Sequence, residues 1–182
     1  LREKPRPRTA LVIGGGIAGC AVAGALKAIG IDVIILDSAA QKGAGASGNP
    51  AGIVVPFLTV GDMIGARLSI SCLADTRAFI DAHNLIISNG VVSLDHDKRK
   101  SSRQKKIAEQ GFPSDLAIYK TADDLSVHCG LPVSSGGLLF ESGAVIEPQK
   151  LCSHLSQGVD RIYNAKFTSI QYNRASIYRS FT

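Results

Sequence analysis

Ala10-Leu11-Val12-Ile13-Gly14-Gly15-Gly16-Ile17-Ala18-Gly19 decides how this chain is read. Four apolar residues run into a Gly-x-Gly-x-x-Gly spacing at Gly14, Gly16 and Gly19, and an apolar helical pattern follows at once. A second apolar run, Val33-Ile34-Ile35-Leu36, ends on Asp37. Strand, glycine turn, helix, strand and acid, in that order, predict a mononucleotide-binding βαβ unit. Gly14 allows the tight turn off the strand. Gly16 lacks a Cβ, so a pyrophosphate can approach the backbone. Gly19 lets the helix pack close to the sheet, and Ala23, one turn on, keeps that face small. The free N–H groups of Ile17 and its neighbours point toward the phosphates, aided by the helix dipole. Asp37 lies 23 residues after Gly14, close to the spacing of a carboxylate that grips ribose hydroxyls.

The competing reading of this stretch is a targeting or membrane segment. Arg2, Lys4, Arg6 and Arg8 precede an uncharged run from Thr9 to Leu26, which resembles a signal peptide or short span. Five glycines interrupt that run and Lys27 ends it. No signal-type cleavage site stands out, so the nucleotide reading is preferred. No other segment is apolar enough to span a membrane.

Outward from the fingerprint, the first helix is expected over 17–29, stopped by Gly30. After Asp37, the stretch 41–52 carries glycines at 43, 45, 48 and 52. It reads as a surface turn or as a second loop lying flat against a large ligand, with Ser47 and Asn49 as hydrogen-bonding groups. Asp62 suits the N-cap of a long helix to about residue 83, with Ala66, Ile70, Leu73 and Ile80 on its core face. A strand is expected over 90–94. A helix over 97–110, closed by Gly111, has almost no apolar stripe, and Arg99, Arg103, Lys106 and Gln110 share one face. Further expectations are a short helix over 122–129, a buried strand over 136–140 continued at 143–146, and a helix from Pro148 to about 157. Alternating β-formers predict strands over 161–171 and 176–181.

Composition bounds the class. With 182 residues, 45% hydrophobic and 19% charged, the chain is globular and not disordered. Cys20, Cys72, Cys129 and Cys152 form no CxxC pair, which argues against a zinc site or disulfide scaffold and fits a reducing cytosol. Each is expected to be a small buried thiol. The four histidines are dispersed and have no metal-ligand spacing. The net charge of +5 is concentrated in the N-terminal bases and in Lys98, Arg99, Lys100, Arg103, Lys105 and Lys106. Arg99, Arg103 and Lys106 are candidate nucleic-acid contacts, against the alternative of a merely solvated helix. Residues 1–8, with Pro5 and Pro7, read as a linker from a longer protein.

These pieces resemble a known family. Gly14-Gly15-Gly16-Ile17-Ala18-Gly19, Asp37 and Gly45-Ala46-Ser47-Gly48-Asn49-x-x-Gly52 are similar to the start of FAD-dependent amine and amino-acid oxidases of the D-amino-acid oxidase/glycine oxidase type. Gly111-Phe112-Pro113, Gly136-Gly137-Leu138-Leu139-Phe140 and Glu147-Pro148-Gln149-Lys150-Leu151-Cys152 fit as well. Within that family the chain looks most like the first half of the flavoprotein module of bifunctional tRNA wobble-uridine-modifying proteins, where a methyltransferase domain precedes it.

The resemblance implies an α/β fold: a Rossmann-like FAD-binding βαβ domain with an inserted α+β substrate-domain portion. The implied division is 1–8 linker, 9–84 first FAD part, 85–140 insertion, and 141–182 return to the FAD part. It implies FAD on Gly14, Gly16, Ile17, Ala18, Gly19, Asp37, Ser38, Ala46, Ser47, Gly48 and Asn49, with the backbone near Phe167 at the adenine. The family commonly carries Glu where Asp37 stands. The implied reaction is oxidation of the carboxymethylaminomethyl group of a tRNA wobble uridine to the aminomethyl form, with tRNA as partner and no membrane or metal. An oxidase of glycine or another small amine, without RNA, and a non-catalytic dinucleotide-binding module are the alternatives. The family's substrate-gripping residues fall beyond Thr182, so no catalytic residue is assigned.

Overall fold

The fingerprint segment folds as its spacing predicts. In the computed structural model, which describes residues 8–41, 43–173 and 176–181, with side chains as far as Ser169, strand β1 (Thr9–Ile13) leads through the glycine turn into helix α1 (Ile17–Ala28). Gly30, at φ +82°, turns the chain into β2 (Asp32–Leu36). β1 and β2 pair in parallel, Thr9 opposite Asp32 through Ile13 opposite Leu36. The third strand of this sheet comes from far along the chain: β7 (Asp160–Ile162) pairs in parallel with β2. Helix α5 (Pro148–Leu155), with proline at its first turn, packs against α1. Cys20, Ala23, Ile31, Val33, Ile35, Cys152 and Val159 form the core between helices and sheet.

One helix contact depends on a single glycine. A Cβ on Gly24 would collide with the carbonyl oxygen of Leu155. The α1–α5 approach therefore rests on Gly24 as well as on the fully buried Ala23.

Residues Ala51–Ile146 form a second compact unit. Its backbone is an antiparallel sheet centred on β6 (Gly137–Ile146). β4 (Ile86–Leu94) runs along one side, and β3 (Gly52–Val54) and β5 (Ile118–Lys120) also pair with β6. Helices α2 (Met63–Ala82), α3 (Lys98–Ala108) and α4 (Ala122–Cys129) complete it. Leu58, Ala66, Ile107, Ala117, Leu138 and Phe140 form its core. Its helix starts follow local chemistry. Asp62 accepts from Gly65 N–H at 2.8 Å, Asp97 accepts from Lys100 N–H at 2.7 Å, and Thr121 with Asp124 makes a capping box.

The structure departs from the sequence expectation in several places. The insertion is wider than 85–140, because β3 at its front pairs with the end of β6 and holds residues 51–54 and 141–146 in the same sheet. β4 begins at Ile86, and register shifts between Ile86 and Ser88 and between Asn89 and Val91 carry it past Gly90. The strand expected over 161–171 is two strands, β7 and β8 (Phe167–Asn173), because Asn164 sits at φ +54° and breaks the run. β8 pairs antiparallel with β9 (Ser176–Phe181). Finally, Cys72 and Cys129 are exposed, while Cys20 and Cys152 are buried as expected. Among the described residues no helix is long and apolar enough to cross a membrane.

Candidate flavin-nucleotide site

The turn after β1 is fixed by hydrogen bonds that cross the βαβ unit. Gly14, at φ +98°, donates its N–H to the Leu36 carbonyl at 2.8 Å, which ties the turn to the end of β2. Asp37 follows Leu36 directly, and Oδ2 accepts from Gly15 N–H at 2.5 Å while Oδ1 accepts from Ala39 N–H at 2.8 Å. Each carboxylate oxygen keeps a second lone-pair site. Asp37 thus braces the glycine turn and still presents acceptor capacity beside it. Its own position is set from the other side, since Asp37 N–H donates to the Ile162 carbonyl of β7 at 2.9 Å and its carbonyl accepts from Ala165 N–H at 3.0 Å.

The helix end is open toward the same place. Gly16 stands at the N-cap of α1 and offers no side chain. Cys20 N–H, bonded to the Gly16 carbonyl at 2.9 Å, makes the first bond of the helix ladder, so the preceding amides have no intrahelical acceptor. Ser47 Oγ accepts from Ile17 N–H at 3.1 Å. Ser47 belongs to a short 3-10 turn at Ala46–Gly48, closed by Gly48 N–H to the Gly45 carbonyl at 2.8 Å. One hydrogen bond therefore latches the second glycine loop onto the first.

The two loops and the end of β2 enclose a cavity of about 630 Å³ lined by Gly14 to Ala18, Asp37 to Ala39 and Gly43 to Ser47. Its floor is backbone. A Cβ on Gly16 would stand 3.3 Å from Ser47 Oγ, and one on Gly15 would stand 2.8 Å from Asp37 Oδ2. Open amides, a positive helix end and a flanking carboxylate are the donor and acceptor set that a pyrophosphate with an adjoining ribose needs. The residues present fit that group.

Of the residues singled out in the sequence, the structure brings Gly14, Gly16, Ile17, Ala18, Asp37, Ser38, Ala46 and Ser47 to this cavity. Gly19 lies behind it, where a Cβ would collide with the Gly14 carbonyl. Gly48 packs against Gly43, and Asn49 ends the 3-10 turn; neither lines the cavity. Phe167 opens β8, outside the β1–β2–β7 sheet, and is also absent from the lining. The strand beside β2 is β7. Ala39, Gly43, Ala44 and Gly45 line the cavity and were not singled out. Their signal was the glycine content of the loop, which marks backbone exposure without saying which residues face inward.

Behind the latch lies a thiol pair. Cys152 on α5 stands within hydrogen-bond reach of the Cys20 thiol and of the Ser47 hydroxyl, and burial, with Cys20 beside it, pushes its thiol up to about 11. Cys20 Sγ also donates to the Gly15 carbonyl at 3.4 Å. Such thiols are inert packing groups under the loop. Titration of the folded chain with a disulfide-exchange reagent at pH 8 should read Cys72 and Cys129 quickly, with Cys20 and Cys152 reacting only after denaturation. Fast reaction of all four would show that the α1–α5 packing opens readily.

The sequence pattern of the FAD dependent oxidoreductase family DAO matches residues 9–179. The chain belongs to this family. DAO proteins are FAD-dependent, so FAD is the cofactor of this chain's family. The chain is 37% identical over 153 residues to the tRNA 5-methylaminomethyl-2-thiouridine biosynthesis bifunctional protein MnmC of Burkholderia orbicola, covering 80% of this chain and 24% of that protein. It is 29% identical over 174 residues to the protein of the same name from Shewanella amazonensis, covering 91% and 26%. The chain thus spans about a quarter of the length of these curated relatives. Among solved DAO-type folds, glycine oxidase from Geobacillus kaustophilus superposes with a TM-score of 0.75 at 16% identity, covering 98% of this chain and 52% of that one. L-proline dehydrogenase from P. horikoshii gives 0.72 at 16% identity, covering 96% and 48%. These likenesses establish the α/β flavoprotein fold.

Proposed function

We propose that this chain is the front part of a flavin site in a tRNA-modifying oxidoreductase. In this reading the full-length protein oxidises the carboxymethylaminomethyl group of a wobble uridine to the aminomethyl form. The similarity to two curated MnmC proteins along most of this chain carries the reading. A cytoplasmic location and a methyltransferase domain elsewhere in the full-length protein belong to the same reading.

Bound FAD supplies the two-electron acceptor for the C–N bond being oxidised. This chain's own residues bind and orient. The open amides of Gly16 and Ala18 and the N-terminal end of α1 receive the pyrophosphate, while Ile17 N–H is taken by Ser47 and Gly19 supports the turn from behind. Asp37, with Ser38 beside it, receives the ribose hydroxyls. Ser47, held by Ile17 N–H, keeps the 43–47 loop over the cavity, with Ala46 adding a small wall. Gly48 and Asn49 shape that loop from behind. An amine substrate reacts once its nitrogen is unprotonated, so orientation and exclusion of water are what the protein must add.

The test is turnover by the full-length protein. Incubated with tRNA carrying carboxymethylaminomethyl-uridine, it should produce the aminomethyl nucleoside, read by mass spectrometry of the digested RNA, with one equivalent of glyoxylate. Oxidation of free glycine or sarcosine with the tRNA left unchanged would replace this reading by that of a small-amine oxidase.

A further inference from the structure

We propose that the groove between α3 and the turn at residues 59–61 binds the phosphodiester backbone of single-stranded RNA through Arg99, Arg103 and Lys106. The choice of RNA rests on the tRNA reading above; the groove itself rests on geometry that the flavin cavity does not use.

Helix α3 divides its polar side chains into two sets. The inward set holds the helix in the second unit. Gln104 and Ile107 are buried, and Gln104 Nε2 donates to the Ser93 carbonyl at 2.8 Å. Tyr119 donates its hydroxyl to Asp95 Oδ2 at 2.8 Å, and Lys105 lies 5.1 Å from the Tyr119 ring centre. The Ser101 hydroxyl, with Tyr119, Lys105 and Lys100 adding to it, holds the Asp95 carboxyl below its ordinary range. Lys100 and Lys105 therefore already answer an acid.

The outward set does not. Arg99, Arg103 and Lys106 are exposed and follow one another at helical spacing. With Ser102, Thr59 and Val60 they line a groove of about 490 Å³ that contains no carboxylate. The ion pairs found among the described residues, Arg77–Asp81 and Lys150–Glu147, lie elsewhere. The wall opposite α3 is fixed in place. Gln110, one turn beyond Lys106, accepts from Gly61 N–H at 3.0 Å and donates to the Thr59 carbonyl at 3.3 Å. One amide thus staples the turn to the helix end and sets the groove's width.

Cations left without acids in a built groove call for an anionic partner. From Arg99 to Lys106 the helix advances about 10 Å at roughly 1.5 Å per residue. That is too long for one free phosphate and suits successive phosphates of one strand. Two of the three cations are arginines, whose planar fork matches phosphate oxygens in pairs. The hydroxyls of Thr59 and Ser102 add donors, and the exposed Val60 offers an apolar edge to sugar or base. An acidic protein segment could use the same donors; the tRNA reading above is what favours RNA, and the poly-glutamate comparison below separates the two.

The experiment is fluorescence anisotropy of the 182-residue chain with a labelled anticodon-type stem-loop RNA over a series of salt concentrations. Three contacts to single-stranded phosphates contribute about 2 to the slope of log affinity against log salt. Combined Arg99→Gln, Arg103→Gln and Lys106→Gln should remove that share of the slope and weaken binding at least tenfold at low salt. Combined Arg67→Gln, Lys150→Gln and Lys166→Gln removes the same charge from exposed positions off the groove and should leave the slope nearly intact. Equal losses in the two triple variants, or tighter binding of poly-glutamate than of RNA, would overturn the groove. If circular dichroism shows that the first triple variant does not fold, Arg103→Gln alone should still remove about 0.7 of slope. RNA bound with an unchanged slope would sink the groove and leave the tRNA reading standing. Failure of the unsubstituted chain to bind RNA would sink the groove, and turnover by the full-length protein then decides the tRNA reading separately.

Discussion

Gly19→Val is expected to weaken FAD binding at least 100-fold, read by quenching of flavin fluorescence on titration into the chain. A Cβ at this position meets the backbone carbonyl of Gly14, with Val12 Cγ1 at 3.4 Å behind it. Neither the carbonyl nor the strand beneath it can swing aside as a long side chain could. Either the first turn of α1 lifts from β1 or the 14–16 turn flips, and both displace the amides that face the cavity. The 100-fold loss corresponds to about 2.7 kcal/mol of binding free energy. Overpacking adds a stability cost of about 1–3 kcal/mol. Gly24→Val separates the two effects. Its Cβ would collide with the Leu155 carbonyl on α5, away from the cavity lining. It should lower the thermal midpoint by several degrees while leaving FAD affinity, measured well below that midpoint, within a few-fold. If Gly19→Val binds FAD as the unsubstituted chain does, the fingerprint cavity is not the nucleotide site.

Asp37→Ala should weaken FAD by roughly 10- to 100-fold, through two losses that the structure keeps on one side chain. The carboxylate braces the site by accepting from Gly15 and Ala39 N–H, and a part-buried N–H left without an acceptor costs about 1–3 kcal/mol. It also supplies the acceptor for ribose hydroxyls in the proposed complex, and charge-assisted bonds of this kind are roughly twice as strong as neutral ones. ADP, which carries the ribose and pyrophosphate without the flavin ring, should lose affinity by a similar factor. Asp37→Glu keeps the charge and should retain most of the binding. Isothermal titration with FAD and ADP reads all of these. Unchanged ADP affinity in Asp37→Ala would remove this residue from the nucleotide contact.

The order of the nucleotide unit was legible because its signals are local. Residues 10–19 and 33–37 carry apolar run, glycine spacing and acid within two short neighbouring stretches, and the cap Asp62 announces its helix from three residues away. What was not legible depends on distant partners. β5 is three residues long and exists because Ile118–Lys120 finds β6. The break at Asn164 follows from its N–H reaching the Ala39 carbonyl at 2.9 Å and the next N–H reaching Asp37. Gly24 has no special place in the fingerprint; its need is set by Leu155 on another helix. The pairing of Cys20 with Cys152 and the latch from Ser47 to Ile17 are likewise contacts between segments whose spacing carries no pattern. Asn49 and Phe167 were drawn in by likeness to the family, and the geometry leaves both outside the cavity lining. On α3 the face was readable from helical spacing. The stapling role of Gln110 was not, because it requires the turn at 59–61 to be present.

Gly52 lies opposite Ile146 in the β3–β6 pairing. The second unit therefore begins and ends at one point of its own sheet, and this bears on the order in which the chain can fold. If residues 51–146 stayed unstructured, joining the segment before them to the segment after them would cost about 4 kcal/mol of loop-closure entropy. Once the β3–β6 ladder forms, its two ends are already neighbours. Helix α5 and strand β7 are then delivered to α1 and β2 as though the intervening residues were a short connection. The nucleotide half of this chain is interrupted in sequence without paying the kinetic penalty of an interruption.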